Sequence, residues 1–531
     1  MTLTATSPLK QAEPAQEAQE ETPSAVRRPN RRAVMVSAVL TQLMIVLDLT
    51  IIAIALPHMQ EDLGMTVSQS PWTVTGYSLA FGGLVLFGGR LCAVVGIRRS
   101  YQVGLIGFGI ASLAAGMATS FSVLLAARVA QGCFGALLAP TSQSLLNVTF
   151  TERTERERVF AIFGATGGLG AAVGLLVGGA LTDWFSWRWA LYINIFLAAA
   201  ALLIGQRSLP PADQRDRGSR ITDDLSGLVL GCGACFSAVY GLDRAQQTSW
   251  TSTSTVSWLA LGGIAAALFV VRERFANRPV LPLSMMALPV RAASYATQFV
   301  AGAAQMGAII YLTYYMQNHF GYSPLKSGVV FLPMVLALIA TAIPAGRVIV
   351  PRLGARGTLP LGLAVLAGSF LIFSRMTTES TYEHVALPGL IVFGMGLGLT
   401  MPVTFNSGTR GVDAKRTGLA SAILSAAQQI GGSFGVALMT SYATQHAEDY
   451  VTDHAAQVRA EAMEAMMRAQ ALPQSPTGKQ IIETLKAQLV DRAQIEAYSG
   501  GFTMMTWILA GAATVLVACG IGLSLRRRRR R

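Results

Sequence analysis

The chain has 531 residues, of which 52% are hydrophobic and 13% are charged, and its mean hydropathy is +0.47. This composition excludes a soluble globular protein, because a surface in water could not accommodate so many apolar side chains. The net charge of +13 would favour a nucleic-acid partner in a soluble protein, but in a membrane protein it reflects arginine-rich loops. We therefore predict an all-α polytopic membrane protein without a nucleic-acid partner.

The first residues of the chain do not resemble a folded segment. Residues 1–32 are rich in Glu, Gln, Ala and Pro, which predicts a disordered cytoplasmic tail. The apolar run at residues 33–56 has about 24 residues and is long enough to cross a bilayer as a helix. It is too long for the apolar part of a cleavable signal peptide and lacks a small-residue cleavage site. We predict a retained first span.

Asp48 lies inside this first span. A carboxylate near the middle of a bilayer costs at least about 2.5–3.5 kcal/mol on insertion scales, so a helix carries one only when it faces a partner or a wet cavity. Two interpretations remain open. Asp48 is either a proton or cation site, or a structural carboxyl that hydrogen-bonds a neighbouring helix.

Apolar runs continue along the chain, and together they predict fourteen spans. They lie at residues 33–56, 74–95, 102–120, 122–148, 159–181, 189–206, 225–243, 254–271, 296–317, 327–350, 358–374, 386–406, 417–442 and 503–525. Alternate loops hold 30 of the 41 lysine and arginine residues, which places both termini in the cytoplasm. Residues 526–531 are six arginines, and we predict that this basic cytoplasmic tail contacts anionic lipid.

One predicted extracytoplasmic loop is long. Residues 443–502 carry apolar positions at helical spacing on both sides of Pro473 and Pro476. This pattern predicts a helical hairpin on the outer face. Its role is open between a stiff connector of the last two spans and a lid over an exit path.

Arg128 is a second buried charge, inside the fourth apolar run. An arginine stays charged in such a place and requires a counter-charge. Asp48 is the only acid well inside a predicted span, so the two are natural partners. A carboxylate beside a fixed positive charge can load and release a proton as its access to water alternates. The alternative is a permanent structural ion pair.

Glycines recur at four-residue spacing in the fifth run. Gly170, Gly174, Gly178 and Gly179 leave one helix face without side chains, which allows close helix packing.

Other sequence motifs exclude several kinds of chemistry. The chain has no Walker-type Gly-Lys-Ser/Thr sequence, so ATP hydrolysis is not the energy source. Two cysteines three residues apart in an apolar helix, without a second pair or a histidine, do not predict a metal site. We predict no metal and no cofactor, with a proton gradient as the energy source.

Several motifs together resemble the major facilitator superfamily, and within it the fourteen-span drug:proton antiporters of the quaternary-ammonium and multidrug exporter type. The resemblance covers about residues 33–525 and rests on the sequence from Leu47 through Pro57, on Arg128-Val-Ala-Gln131-Gly132, and on three further segments. These segments are Trp187-Arg188-Trp189, Ile193-Asn194 and Tyr322-Ser323-Pro324.

The resemblance implies a domain organisation. Residues 33–206 and 296–525 would form two six-helix bundles, and residues 225–271 would be a helix pair inserted between them. The substrate would bind at mid-membrane between the bundles, in a protein of the bacterial cytoplasmic membrane that we predict to be a monomer. Asp48 would carry the proton and Arg128 would tune its release.

Two motifs depart from the family pattern. The loop after the second run keeps Gly89, Gly96 and Arg98, which in the family serve packing and gating, but has Ala93 and Val94 where Asp-Arg is usual. Leu175 stands where the fifth-span motif has proline. Because of these departures, the sequence leaves two questions undecided: whether the family's gating charge relay operates here, and how tightly substrate transport is coupled to proton movement.

The predicted function is proton-coupled export of amphiphilic drugs or antibiotics, which confers resistance. A facilitator or symporter of another solute and a transport-dead sensor of the same fold remain alternatives, whereas an enzyme would need a second catalytic group near Asp48. The candidate cavity residues suit a large, mostly apolar substrate. They are Gln42, Gln131, Asn147, Gln298, Tyr311, Tyr315, Gln428 and Gln429.

Overall fold

The computed structural model describes residues 30–65, 69, 72–206, 209, 225–276, 288–412, 417–468 and 475–529. All regular secondary structure in these ranges is helical. A helix satisfies its own backbone hydrogen bonds, which apolar surroundings require because no water is there to do so. The predicted all-helical membrane fold is confirmed for this part of the chain.

Six helices form the N-terminal bundle. They are α1 (Arg31–Asp62), α2 (Trp72–Val95), α3 (Ile97–Gly116), α4 (Phe121–Thr149), α5 (Arg153–Trp184) and α6 (Trp187–Gly205). Within the bundle α1 packs against α5 and α6, and α4 packs against α2 and α3. The side chain of Asn30 caps α1 by accepting a hydrogen bond from the backbone N–H of Ala33.

Two helices, α7 (Leu225–Gln247) and α8 (Thr253–Phe275), form a separate hairpin. They pack against each other, and α7 also contacts α2 and the later helix α14 (Thr417–Arg468). Ser252 caps α8 by accepting from the backbone N–H of Thr255. The pair therefore lies beside the line where the two large bundles meet.

The remaining helices form the C-terminal bundle. They are α9 (Pro289–Tyr314), α10 (Pro324–Val330), α11 (Leu332–Pro344), α12 (Val350–Phe373), α13 (Leu387–Thr409), α14 and α15 (Pro476–Arg529). Short π-helical segments extend α9, link α11 to α12 and precede α13. Gly354 has φ +67°, which kinks the start of α12.

Eleven segments of the described chain are long and apolar enough to cross a membrane. One of them, Leu325–Phe373, has 49 residues and contains α10, α11 and α12, more than the about 20 residues that one crossing needs. Each of the fourteen predicted apolar runs overlaps a described helix, and the run at 327–350 covers both α11 and part of α10.

The predicted hairpin at 443–502 consists of extensions of α14 and α15, which have 52 and 54 residues. Residues 469–474, including Pro473, lie outside the described residues. Ala462 and Met466 on α14, and Leu489 and Ala493 on α15, are buried. His319 lies at the end of the π-helical segment after α9. Its Nδ1 atom is 3.2 Å from Oδ2 of Asp491, a contact that connects the base of this hairpin to the bundle.

Candidate functional site

A buried ion pair lies in the middle of the N-terminal bundle. Asp48 on α1 is 1% exposed and Arg128 on α4 is 0% exposed. The Nη1 atom of Arg128 donates to Oδ2 of Asp48 over 2.5 Å. The structure therefore brings together the two charges that the sequence singled out.

Two amides complete the hydrogen bonding of the carboxylate. Asn194 on α6 donates from Nδ2 to Oδ1 of Asp48 over 2.6 Å, and Gln131 donates to the same oxygen over 3.3 Å. Gln131 also donates to Oγ of Ser112 on α3 over 2.8 Å and accepts from Nη1 of Arg128 over 2.8 Å. Helices α1, α3, α4 and α6 thus meet at one polar cluster.

The guanidinium of Arg128 is fixed on a second side by α2. Its Nε donates to the backbone carbonyl of Thr73 over 3.0 Å, and its Cζ atom lies 4.6 Å from the centre of the Tyr77 ring. Such a cation–π contact stabilises a buried arginine. Among the described residues, Nη2 of Arg128, the hydroxyl of Tyr77 and Oδ1 of Asn194 have no hydrogen-bond partner.

This arrangement fits the charged form of Asp48, because every group that contacts the carboxylate donates a hydrogen bond. Protonation would turn one carboxyl oxygen into a donor that needs an acceptor. Oδ1 of Asn194 is such an acceptor once the amide turns over. The cluster can therefore hold the carboxyl in both protonation states.

The glycine repeat of α5 sets the position of α1, which carries Asp48. A Cβ atom at Gly174 would lie 1.9 Å from Oγ1 of Thr50, two residues after Asp48. A Cβ at Gly170 or Gly178 would lie 3.0 Å from Val46 or 3.1 Å from Ile51. Gly179 is buried on the same helix, and the side chain of Leu175 lies outside the described residues.

A narrow cavity lies between the two bundles. Gln42 of α1 lines it together with Gln305 of α9 and Gln428 of α14. The rest of the wall is Gly164 and five large apolar side chains, Phe163, Leu338, Leu397, Met401 and Phe405. Gln42 and Gln428 are predicted cavity residues, whereas the sequence analysis missed Gln305.

The other predicted cavity residues make contacts elsewhere. Gln131 belongs to the Asp48 cluster. Inside the C-terminal bundle, Gln298 accepts from Thr404, the Tyr311 hydroxyl donates to Thr440, and the Tyr315 hydroxyl donates to the carbonyl of Thr377. At the contact between the bundles, Asn147 accepts from Thr409 over 3.4 Å, and Gln429 packs beside Gly82.

The motif that departs from the family pattern covers the end of α2 and the start of α3. Gly96 has φ +95° and separates the two helices, a conformation that suits glycine. Gly89 is buried, and Nη2 of Arg98 lies 3.5 Å from the carbonyl of Gln206 at the end of α6. Ala93 and Val94 are partly buried apolar side chains of α2 and supply no charge.

A polar contact joins the end of α1 to the start of α6. Asp62 accepts hydrogen bonds from Arg188 and, over 3.1 Å, from the indole N–H of Trp187. The Arg188 bond and then the Trp187 bond lower the pKa of the Asp62 carboxyl. The stability that this contact contributes is therefore present above the pKa of Asp62 in the unfolded chain, and is lost as pH falls through the lower folded pKa.

The model of the Major Facilitator Superfamily matches residues 38–436, a range that includes the Asp48 cluster and the cavity. The chain belongs to this superfamily. The predicted superfamily is confirmed, and the chain is therefore a multi-pass membrane transporter and not an enzyme.

The chain is also similar to two bacterial relatives in sequence and to one solved structure in fold. It is 39% identical over 429 residues, 80% of this chain and 84% of the relative, to the puromycin resistance protein pur8 of Streptomyces alboniger. It is 33% identical over 406 residues, 76% and 83% of the two chains, to the cephamycin export protein CmcT of Amycolatopsis lactamdurans. The human organic anion transporter MFSD10 (TETRAN) shares the fold, with a TM-score of 0.54, 15% identity and coverage of 91% of this chain and 100% of that one.

The sequence analysis missed several members of the site. Asn194 entered only as part of a family motif, and Ser112, Thr73 and Tyr77 were not singled out. An amide inside the apolar run of α6 was the available signal for Asn194, since a buried polar group needs a partner.

Proposed function

We propose that the chain is a proton-coupled antiporter that exports amphiphilic drugs or antibiotics across the bacterial cytoplasmic membrane. The observation that carries the proposal is the fully buried pair of Asp48 and Arg128. A buried ion pair contributes little net stability compared with apolar residues of the same volume. An ionisable pair inside a transporter bundle is therefore better explained by proton movement than by stability.

In this proposal the protein crosses the membrane fourteen times. Helices α1 to α9 cross once each, α10 and α11 cross together, and α12 to α15 cross once each. The split of Leu325–Phe373 by the kink at Gly354, and the packing of α3 and α5 among helices that meet the span criteria, support this count. The distribution of lysine and arginine supports cytoplasmic termini.

The proposed cycle alternates access to Asp48 and to the cavity between the bundles. Open to the outside, the protein releases its substrate and Asp48 takes a proton from water. Open to the cytoplasm, Asp48 returns the proton to water and re-forms its pair with Arg128, and substrate binds. A membrane potential contributes about 2.3 kcal/mol per charge per 100 mV to this exchange.

Gln131 and Asn194 keep the Asp48 carboxyl in one position while it gains and loses its proton. They hold Oδ1 of Asp48 while Arg128 holds Oδ2. When the carboxyl is protonated, the Asn194 amide turns over and accepts. After the turn, Oδ1 of Asn194 accepts from the carboxyl and Nδ2 becomes the atom without a partner.

The cavity supports a mostly apolar substrate with scattered polar atoms. Three glutamines, Gln42, Gln305 and Gln428, offer both donors and acceptors from the two bundles. The cavity is bounded by contacts such as Phe163 against Phe405, with ring centres 6.2 Å apart. Substrate therefore enters only when the bundles move apart. The names of the two bacterial relatives make puromycin and cephamycin the first compounds to test.

The test is drug uptake into inverted membrane vesicles with an imposed pH gradient. Asp48→Asn should reduce gradient-driven uptake to the level of vesicles without the protein, because the amide cannot titrate. Asp48→Glu retains an acid and should retain pH-dependent uptake.

Asp62→Asn is the matched control, since it removes a carboxylate from the end of the same helix. Comparable amounts of folded protein are verified by size-exclusion chromatography, because a lone Arg128 costs about 3–5 kcal/mol. Normal uptake by Asp48→Asn would refute the proton-carrier role.

A further inference from the structure

An open groove runs between α12 and α15, away from the cavity between the bundles. The groove has a volume of about 790 Å³ and opens along one side. Most wall residues are small or apolar: α12 contributes Gly357, Pro360, Leu361 and Ala364, and α15 contributes Ala510, Ala513, Val517 and Gly520. In a bilayer, such a groove is filled by a lipid chain or by another helix, because apolar walls do not hold water.

The length of the groove is close to the thickness of the hydrocarbon layer of one membrane leaflet. Its α12 wall runs from Arg356 to Ala367, twelve residues with a rise of about 16 Å, which is about half of the roughly 30 Å hydrocarbon core. After the kink at Gly354, α12 continues to Phe373, about 28 Å and just enough to span that core. Arg356 therefore lies where the hydrocarbon meets the headgroups.

The mouth of the groove is strongly basic. Arg356 is exposed and forms no ion pair with a described residue, and the same holds for Arg352 one turn away. Residues 345–378 and 497–520 contain no Asp or Glu, so no acid of these segments neutralises Arg356. Positive charge without a protein partner at this depth fits an anionic headgroup.

We propose that this groove binds one anionic phospholipid, with its phosphate at Arg356 and one acyl chain along the small residues of α12 and α15. The site is separate from the Asp48 cluster and does not depend on the proposed transport cycle. It adds a defined lipid ligand to the C-terminal bundle.

The test is native mass spectrometry of the full-length protein in detergent, titrated with phosphatidylglycerol or with phosphatidylcholine of the same acyl chains. The wild-type protein should bind phosphatidylglycerol more tightly. Arg356→Gln should weaken phosphatidylglycerol binding by about fivefold, the contribution of one basic residue near a membrane surface, and leave phosphatidylcholine unchanged. Ala364→Trp should weaken binding of both lipids, because the indole fills the groove.

Two matched controls exclude general effects of charge and size. Arg375→Gln removes an exposed arginine after the other end of α12, and Ala518→Trp adds an indole to an exposed position of α15 outside the groove. Both should bind lipid as the wild-type protein does. Equal affinity for the two lipids, or unchanged binding by Arg356→Gln, would overturn the proposal. A dimer that Ala364→Trp disrupts would assign the groove to a second copy of the chain.

Discussion

Two side chains of opposite charge are held out of water by five helices of the N-terminal bundle. Asp48 receives three hydrogen bonds, from Arg128, Asn194 and Gln131. Arg128 is shared between the carboxylate, an amide oxygen and a backbone carbonyl. The planar guanidinium can serve all three acceptors at once, which a compact ammonium cannot do.

Arg128→Lys should therefore uncouple transport. Lysine loses the fork that joins Asp48 to Thr73, and a hydrogen bond to a charged group is worth about 1.5–3 kcal/mol. We expect gradient-driven drug uptake to fall by at least about tenfold, with a changed dependence on pH. Uptake into vesicles over a series of pH values is the measurement, and Arg375→Lys, at an exposed arginine, is the control. An unchanged pH profile in Arg128→Lys would mean that the arginine is structural.

The two buried charges were predictable from sequence because a charge in an apolar run is expensive and therefore informative. Their partners were not. Asn194 lies 146 positions from Asp48, and no periodicity links an amide on α6 to a carboxyl on α1. In the sequence, nothing distinguishes Gln305 from several other intramembrane glutamines. Only the packing of α9 shows that it lies beside the cavity.

Close contact between α1 and α5 gives Asp48 its fixed position. Thr50 packs against Gly174 while its hydroxyl donates to the carbonyl of Leu47 over 3.0 Å. No side chain larger than hydrogen fits at Gly174 without moving this turn of α1.

Gly174→Ala should destabilise the protein and reduce transport. The added methyl would overlap Oγ1 of Thr50, and overpacking of this kind costs about 1–3 kcal/mol. Thermal unfolding in detergent, followed by intrinsic fluorescence, should show a lower midpoint. Gly511→Ala is the control, because a Cβ there meets no heavy atom within 4 Å. Adding Thr50→Ala should recover part of the loss, and equal midpoints for the two glycine variants would contradict the packing account.

Helix positions followed from hydropathy because long apolar runs have one stable form in a bilayer. The ends of the helices did not follow in the same way. The apolar runs at 417–442 and 503–525 end where the hydropathy falls, yet α14 and α15 continue through the polar insert. Side chains such as Ala462 and Leu489 are buried there by helix–helix packing, outside the runs that hydropathy detects.

The two bundles touch on both sides of the cavity. Gln143 of α4 donates to Ser425 of α14, and Gly328 of α10 packs against Leu176 of α5. In the proposed cycle each of these contacts opens in turn while Asp48 exchanges its proton. Substrate binding in the cavity would thereby be coupled to the charge of one carboxyl in the N-terminal bundle.

Proton release on substrate binding tests this coupling most directly. Purified protein in unbuffered detergent solution is mixed with puromycin or cephamycin, and a soluble pH indicator reports the protons released. Solutions of the compound without protein give the background.

At starting pH values low enough for Asp48 to hold a proton before substrate is added, the wild-type protein should release protons as substrate binds, whereas Asp48→Asn should release none. Binding to Asp48→Asn, followed separately by tryptophan fluorescence, should persist. Asp62→Asn should behave as the wild-type protein does. Equal proton release from the wild-type protein and Asp48→Asn would contradict the central claim that Asp48 exchanges its proton for substrate.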